Sequence, residues 1–304
     1  FWAFMSAFFA VLAYWFRAVR WNLLLEPMGY QIRNSNAFWT IAFGYMMNLT
    51  IPRSGEIARA TTLFRIEKVP VEKSIATIVI ERLVDLVFML LFLLLTFIFN
   101  GKVLASFYNL LTTRKVSEKK ELTSMDSFLL NHGVDDLDAF YFNLKIVLLV
   151  LVLLGAVVFV IKFKDKIISF VKGLIEGFLA VRKIKNKLAF VLHSAGIWIC
   201  YFLAAYLVCF ALKETSDFTI GDGFLLVTAG TLGMMVPTSG GAGSYHIVVK
   251  IAIVGIFISL GKSHSQGEEV GISYALISHL IQTIATLVFG LISIFALFGK
   301  KNDK

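Results

Sequence analysis

NLTIPRSGEIAR, at residues 48–59, and ERLVD, at residues 81–85, are two charged stretches in a chain that is otherwise strongly apolar. The 304 residues are 58% hydrophobic and only 16% charged, whereas soluble domains are about 45–50% apolar and about 25% charged. The mean hydropathy is +0.80. This composition predicts an integral membrane protein, in which the charges of the two stretches require an explanation.

Continuous apolar runs predict that the membrane part is built from helices. Several runs reach the roughly 20 residues that a helix needs to cross the hydrocarbon core, and lipid offers a spanning backbone no hydrogen-bond partner. The runs do not alternate apolar with polar residues as a membrane β-barrel does. We therefore expect an all-α, polytopic helical bundle forming one membrane domain over residues 1–304, with spans at 1–24, 75–99, 143–161, 188–212, 224–236, 244–260 and 272–298. Because Phe1 already lies in an apolar run, we expect the natural N-terminus to lie further upstream.

Two apolar segments are too short or too broken to be ordinary spans. Residues 36–51 contain Gly44 and end at Pro52, which favours a re-entrant hairpin or a half-helix. Residues 224–236 end at Pro237, and the sequence TSGGAG follows. Interrupted segments in separate halves of a membrane protein are typical of a binding site near the middle of the bilayer.

The distribution of basic residues predicts which connections face the cytoplasm. The connections 17–33, 52–74 and 162–187 and the C-terminal tail hold 19 lysines and arginines, whereas 100–142, 213–223 and 261–271 hold 7. Cytoplasmic loops carry the excess of basic residues. We therefore expect a multi-pass protein of the cell (inner) membrane with a cytoplasmic C-terminus. We also expect a polar outer loop at 100–142 and an amphipathic interfacial helix at about 164–186.

Few charged residues remain outside the connections counted above. The basic ones are Arg82, Lys145 and Lys250, and the acidic ones are Glu81 and Asp85. Charges at membrane depth cost at least about 2.5–3.5 kcal/mol each, so they normally face protein or water and mark a functional path. Arg82 and Asp85 lie three residues apart on a helix and can pair. The alternative is a structural ion-pair network that ties this helix to residues 52–59.

Four motifs, taken in order, resemble those of one family. They are RAVRW at 17–21, NLTIPRSGEIAR at 48–59, ERLVD at 81–85 and PTSGGAG at 237–243. Their order and spacing are similar to those of the lysylphosphatidylglycerol synthase-type transmembrane, or flippase-like, family. The resemblance implies a polytopic inner-membrane protein with re-entrant segments that moves or handles phospholipids or polyisoprenoid-type lipids. It also implies an additional N-terminal span.

The sequence departs from the family pattern in two respects. The family usually reads P-x-P-G-G-x-G-x-x-E at the second broken segment, whereas Ser239 replaces the second proline and His246 stands at the glutamate position. A histidine, unlike a glutamate, changes charge near neutral pH. Members that synthesise lysyl-lipid also carry an aminoacyl-transferase domain after the membrane part, and this chain ends a few residues after its last apolar run. We therefore do not expect a synthase.

We expect the two broken segments to face each other and to bind an anionic lipid headgroup. Pro52 lacks a backbone N–H and Gly55 permits unusual backbone angles, so this segment should expose amides that favour anions. Glu56 and Arg59, three residues apart, are expected to pair, either as a gate or simply to satisfy each other. The expected substrate-binding residues are Asn48, Pro52, Arg53, Gly55, Glu56, Arg59, Glu81, Arg82, Asp85, Gly240, Gly241, Gly243, His246 and Lys250.

Three functions remain open from the sequence. The first is binding and translocation of a lipid with an anionic headgroup, without an enzymatic step. The second is a lipid-modifying enzyme that uses Glu81, Asp85 and His246 for acid–base chemistry, and the third is a non-transporting partner subunit. We expect membrane lipids as ligands, with no cofactor and no metal site. We expect no nucleic acid, because the net charge of +9 follows from the loop asymmetry. A homo-oligomer or a membrane partner is left open.

Overall fold

The computed structural model describes residues 1–101, 103 and 184–299. All the regular elements within these residues are helices, and these residues contain no β-strand. The expected all-α class of a helical membrane bundle is therefore confirmed. The expected span at 143–161, most of the loop at 100–142, most of the interfacial helix at 164–186, and Lys145 lie outside the described residues.

The described residues form eight α-helices, which we number in chain order. They are α1 (Trp2–Leu25), α2 (Asn34–Thr50), α3 (Ser54–Glu67), α4 (Val71–Phe99), α5 (Lys187–Tyr206), α6 (Ile220–Met235), α7 (Ser244–Ser259) and α8 (His264–Phe298). Among the described residues, four segments are long and apolar enough to cross a membrane: Trp2–Met28, Lys187–Ala211, Ser239–Ser259 and His264–Phe298. The 29 residues of α4 reach about 43 Å at 1.5 Å per residue, which also exceeds the roughly 30 Å of a hydrocarbon core.

α2 and α3 pack against each other as an antiparallel pair, which we call the first hairpin, with its tip at residues 51–53. Near the tip, the Ser54 hydroxyl donates to the carbonyl oxygen of Met47 at 2.9 Å. At the open end, the side-chain amide of Asn36 donates to Glu67 Oε1 at 2.6 Å. Hydrogen bonds at both ends therefore fix the two helices side by side.

The first hairpin confirms one expectation and corrects another. The sequence predicts that residues 36–51 form either a re-entrant hairpin by themselves or a half-helix. The structure shows a half-helix, α2, which is one limb of the first hairpin. The expected connection at 52–74 is largely helical instead, because α3 occupies Ser54–Glu67. The charges in SGEIARATTLFRIE are typical of a loop, but Glu56 and Arg59 pair with side chains on α4. Those pairs allow a charged segment to pack as a helix within the bundle.

α6 and α7 form a second antiparallel pair, which we call the second hairpin, with its tip at residues 236–243. At the open end, the rings of Phe218 and Phe257 lie 6.2 Å apart. Near the tip the two backbones approach closely, since a Cβ atom at Gly233 would lie 2.8 Å from Tyr245 Cα. Each limb has 16 residues, about 24 Å of helix, which is short for a separate crossing. The segment Ser239–Ser259 reaches spanning length only by including the turn before α7.

α8 runs past both hairpins, which occupy opposite halves of its length. Its first half packs on α7, where Gly271 lies against the backbone of Lys250. Its second half packs on α2, where Gly290 lies against Met46. His279, between these contacts, touches the second tip. The two hairpins therefore enter from opposite ends of α8, and the second tip lies beside its middle.

Large apolar side chains lie on the outside of the bundle as well as inside it. Leu90, Leu94 and Phe97 of α4 are exposed, as are Leu291 and Phe295 of α8. In water such a surface would mark an interaction site, whereas lipid tails are as apolar as leucine and solvate it well. Charged groups within these helices therefore need protein partners, water or a polar ligand.

Candidate functional site

The two hairpin tips are in contact. Arg53, in the first tip, donates from Nη2 to the carbonyl oxygen of Met235 at the end of α6, at 3.3 Å. In the second tip, a Cβ atom at Gly240 would lie 2.7 Å from Leu49 Cδ2. The sequence predicts that the two broken segments face each other, and this prediction is confirmed.

Arg53 adopts a backbone conformation that few residues with a side chain adopt. Its φ angle is +60°, and the left-handed conformation costs an L-residue roughly 1–2 kcal/mol. It immediately precedes α3, and its neighbours Ile51 and Pro52 are exposed. Strained residues of this kind cluster at functional sites, where the surrounding structure holds them in place. The first tip therefore holds a backbone conformation that its surroundings must stabilise.

Three glycines with positive φ angles shape the second tip. The φ angles of Gly240, Gly241 and Gly243 are +60°, +81° and +82°, at which glycine meets no steric penalty. His279 Nε2 donates to the carbonyl oxygen of Gly240 at 2.8 Å, which ties the tip to α8. His246 Nδ1 accepts the backbone N–H of Gly243 at 3.3 Å. His246 thus caps α7 by reaching back from the third helical position, as a glutamate does in a capping box.

A network of five charged side chains lies buried beside the first hairpin. Asp85 of α4 holds two arginines of α1, because Arg20 Nη1 lies 2.7 Å from Oδ1 and Arg17 Nη1 lies 2.9 Å from Oδ2. Glu81, one turn earlier on α4, holds Arg59 of α3, with Oε2 at 3.1 Å from Nη2. Arg17 Nη1 also approaches Glu81 Oε2, at 3.9 Å. We call these five side chains the buried network, and it joins α1, α3 and α4.

Arg59 is fixed by packing as well as by charge. Its guanidinium carbon lies 4.3 Å from the centre of the Trp21 ring, a distance at which the cation interacts with the ring face. The Trp21 indole N–H donates in turn to Thr77 Oγ1 at 2.8 Å. On the other side, a methyl group added at Gly44 would lie 2.5 Å from Arg59 Cγ. The absence of a side chain at Gly44 therefore makes room for Arg59.

Glu56 and Arg82 form a separate ion pair that is exposed. Glu56 Oε1 and Arg82 Nε lie 3.0 Å apart, and the two side chains are 41% and 46% exposed. Glu56 lies in the first turn of α3, directly after the first tip. Arg82 lies eleven residues into α4, about 16 Å along the helix axis. An exposed charged pair at this position requires water or a polar ligand beside it.

A comparison of the sequence with models of protein families identifies the family of this chain. The family model described as the lysylphosphatidylglycerol synthase TM region matches residues 1–290. The chain belongs to this family. The resemblance inferred from the four sequence motifs is therefore confirmed. No curated protein and no solved structure matches the chain.

Membership of the lysylphosphatidylglycerol synthase TM-region family makes the departure at His246 structurally understandable. The glutamate expected at that position and the histidine present both offer an acceptor to the backbone N–H of Gly243. The substitution therefore keeps the cap on α7 while removing a negative charge from the second tip. The His246 ring also lies 4.8 Å from that of His279, so the tip carries two neighbouring imidazoles.

Two expected pairings are wrong. The sequence predicts that Glu56 pairs with Arg59 and that Arg82 can pair with Asp85, because each pair is three residues apart on a helix. Instead Glu56 pairs with Arg82, Arg59 pairs with Glu81, and Asp85 pairs with Arg17 and Arg20. Partners on neighbouring helices replace the intrahelical ones because both α3 and α1 pack against α4. The resulting network ties α4 to the segment that follows the first tip.

Arg17 and Arg20 are site residues that the sequence reasoning missed. Both belong to RAVRW, but they are counted among the cytoplasmic loop charges because they lie near the end of an apolar run. In the structure both side chains are buried within α1, which ends at Leu25 as the expected span does within one residue. Arg17 Nη2 also donates to the Tyr201 hydroxyl at 3.0 Å. The available signal was their spacing of three residues, which places both on one helix face towards α4.

Several other expected site residues lie elsewhere or have structural contacts. Lys250 Nζ lies 3.3 Å from Glu268 Oε1 of α8, and this pair lies outside the buried network. Asn48 Oδ1 accepts the backbone N–H of Gly55 at 2.7 Å, which stabilises the crossing of α2 and α3. Pro52 is exposed in the first tip. The structure therefore brings together the charged residues of α1, α3 and α4 but not Lys250.

One cavity lies away from the hairpin tips. It has a volume of about 430 Å³ and is lined by Glu214, Lys262 and Glu269, among others, near the beginning of α8. Within residues 1–101, 103 and 184–299, no group of three histidine, cysteine, aspartate or glutamate side chains is placed to hold a metal ion. The candidate site is the group of exposed charges beside the contact of the two tips, Arg53, Glu56 and Arg82.

Proposed function

We propose that the chain binds a lipid with an anionic headgroup at the junction of the two tips. The headgroup then passes across the membrane through this junction while its tails remain in the bilayer. One observation carries the proposal: Arg53, Glu56 and Arg82 present exposed charge beside the contact of the two hairpins. The surrounding helices expose apolar side chains, so a ligand with a charged head and apolar tails matches both surfaces.

The chemistry of the arginines supports a phosphate-bearing headgroup. A guanidinium presents paired N–H donors in a planar fork that fits the oxygens of phosphate, and such charge-assisted bonds are about twice as strong as neutral ones. Arg82 is already paired with Glu56, but exposure to solvent makes that pair weak, at about 0–1 kcal/mol. An arriving phosphate can therefore replace Glu56 at little cost. Among the residues that the structure describes, Arg53 likewise makes only one hydrogen bond, a long one of 3.3 Å to a backbone carbonyl.

The geometry of the hairpins supports movement of the headgroup from one side to the other. Two half-length hairpins that enter from opposite ends and meet at their tips leave only a short barrier between the two sides. A small displacement at the contact of Arg53 with Met235 would open one side without disturbing the long helices. We propose the cell (inner) membrane as the location, with the open end of the first hairpin and the C-terminus in the cytoplasm. Basic residues in the connections support this orientation.

We propose no enzymatic step for this chain. Of the residues expected in an acid–base mechanism, Glu81 and Asp85 are each held by arginines. His246, the third, lies in the second hairpin and caps α7. Overproduction followed by thin-layer analysis of total lipids tests this part of the proposal. An unchanged set of lipid species is expected, and a new lipid species that depends on His246 or Asp85 would favour the enzyme.

Native mass spectrometry of gently extracted protein tests the lipid site. We expect the wild type to retain an anionic phospholipid or prenyl phosphate, and Arg53→Ala and Arg82→Ala to lose it. Arg65→Ala is the matched control, because Arg65 is exposed on α3 but lies over the ring of Phe298 at 5.0 Å, away from the tip. Equal retention by all four proteins would refute the proposed site.

A further inference from the structure

The buried network holds more positive charge than its carboxylates balance. Three guanidiniums, those of Arg17, Arg20 and Arg59, face the carboxylates of Glu81 and Asp85, so a formal charge of +1 remains. The side chains of all three arginines are at most 3% exposed. In the part of the chain that the structure describes, no other carboxylate lies within 4.0 Å of them. Each arginine lies beside a carboxylate, but the net charge of +1 is buried. Uncompensated charge in an interior of low dielectric constant is costly, which favours a compensating anion.

The two arginines of α1 also have donors to spare. Arg17 Nε, Arg20 Nε and Arg20 Nη2 are buried without a hydrogen-bond partner among the described residues. Arg17 Nη1 lies 2.9 Å from Asp85 Oδ2, but neither atom makes a hydrogen bond of good geometry. Buried donors are almost always satisfied in folded proteins. The surroundings of Asp85 therefore contain arginine N–H groups that the carboxylate does not satisfy in this arrangement.

Asp85 is the member of the network that a ligand can reach. Its side chain is 13% exposed, whereas that of Glu81 is 1% exposed. Asp85 also lies three residues after Arg82 on α4, which places it one helical turn from the exposed pair at the first tip. The order from the surface inwards is therefore Arg82, then Asp85, then Arg17 and Arg20.

We infer that Asp85 is an internal counter-anion that a phosphate group displaces, and that Arg17 and Arg20 form an inner phosphate site. The two oxygens of Asp85 are held one by each arginine, at 2.7 and 2.9 Å, as two phosphate oxygens would be. The inference rests on the proposed function, since it makes the inner site the next position of a headgroup that first meets Arg82. The return of Asp85 to the arginines then releases the headgroup.

Substitution of Asp85 by asparagine is the direct test. The probe is dioctanoyl phosphatidylglycerol, measured by isothermal titration against purified full-length protein in detergent, with inorganic phosphate and dioctanoylglycerol as separate titrants. We expect Asp85→Asn to bind the phospholipid at least about tenfold more tightly than wild type, because a competing charge at hydrogen-bond distance is removed. Glu268→Gln is the control: it removes one carboxylate charge from the pair with Lys250, which lies outside the buried network, and should gain no affinity.

The outcomes separate this inference from the proposed function. Equal affinity of Asp85→Asn and Glu268→Gln would overturn the inner site, while loss of binding in Arg53→Ala and Arg82→Ala would leave the proposed function standing. Inorganic phosphate that binds as tightly as the phospholipid would support the inner site but contradict a lipid substrate. Binding of dioctanoylglycerol alone at similar affinity would overturn both.

A second variant keeps the inference falsifiable if Asp85→Asn does not fold. Arg20→Gln leaves two guanidiniums and two carboxylates in the network, so the formal charge of the network becomes zero. The variant therefore buries less net charge than the wild type and should fold. We expect it to bind dioctanoyl phosphatidylglycerol at least about tenfold more weakly than wild type, since one of the two inner arginines is lost. Wild-type affinity in Arg20→Gln would overturn the inner site.

Discussion

Gly44→Ala is expected to destabilise the protein by displacing Arg59. The new methyl group would lie 2.5 Å from Arg59 Cγ and 2.8 Å from the carbonyl oxygen of Gly55, whereas ordinary van der Waals contact begins at 3.4 Å. The arginine would have to move by about 0.9 Å and the α3 backbone by about 0.6 Å. Neither can move freely, because Arg59 lies between Trp21 and Glu81.

The cost follows from these contacts. Overpacking in a close-packed interior costs typically about 1–3 kcal/mol, and loss of the bond between Arg59 and Glu81 would add a buried charge without its partner, at about 3–5 kcal/mol. We expect a loss of about 1–3 kcal/mol if the network stretches and more if it breaks. Thermal unfolding in detergent, followed by tryptophan fluorescence, measures the change.

Gly101→Ala is the matched control for Gly44→Ala. A Cβ atom at Gly101 meets nothing within 4 Å, so this variant should unfold at the wild-type temperature. Because membrane proteins often unfold irreversibly, both variants should be scanned at the same rate. If Gly44→Ala unfolds together with Gly101→Ala, the close crossing of α2 and α3 does not position Arg59, and the reasoning is refuted.

Three further predictions concern the networks and the cap. Glu81→Gln should lower the free energy of unfolding by about 3–5 kcal/mol because it leaves Arg59 buried and unpaired. The double variant Arg59→Gln/Glu81→Gln should recover part of that loss. No recovery would contradict a direct pair between the two residues. His246→Ala should lower the free energy of unfolding by about 1 kcal/mol, the value of a lost helix cap, whereas His246→Glu should keep the wild-type stability. Equal destabilisation by both variants would show that His246 does not cap α7. Glu56→Gln should change the free energy of unfolding by less than about 1 kcal/mol, since its pair with Arg82 is exposed. Retention of anionic lipid should increase, because Arg82 no longer has a competing carboxylate. A large loss of stability would mean that this pair is structural.

The breaks in the chain could be predicted from the sequence because their causes are local. Pro52 and the glycines after Pro237 disrupt a helix wherever they occur, so the positions of both tips follow from residue chemistry. Charges in an apolar run are equally visible, which identified Glu81 and Asp85. The contact of the two tips follows from a general pattern in membrane proteins. These features required no knowledge of tertiary partners.

The pairing of the charges could not be predicted because it depends on which helices are neighbours. Arg17 and Arg20 lie near the end of an apolar run, where an arginine can face water as well as protein, and only the packing of α1 against α4 decides between these environments. In the same way, α3 carries charges typical of a loop, and its helical packing becomes favourable only once Arg59 meets Glu81. Spacing along one helix suggested partners within it, whereas contacts between helices supplied better ones.

Translocation of a fluorescently labelled phosphatidylglycerol in reconstituted liposomes tests the central claim most directly. The label on the inner leaflet is protected from an external reductant until the lipid crosses. For wild-type protein, we expect the inner label to become accessible, and for Arg53→Ala and Arg82→Ala we expect it to remain protected, with Arg65→Ala behaving as wild type. If both tip variants move the lipid as fast as the wild type does, the junction of the two hairpins is not the path of the headgroup.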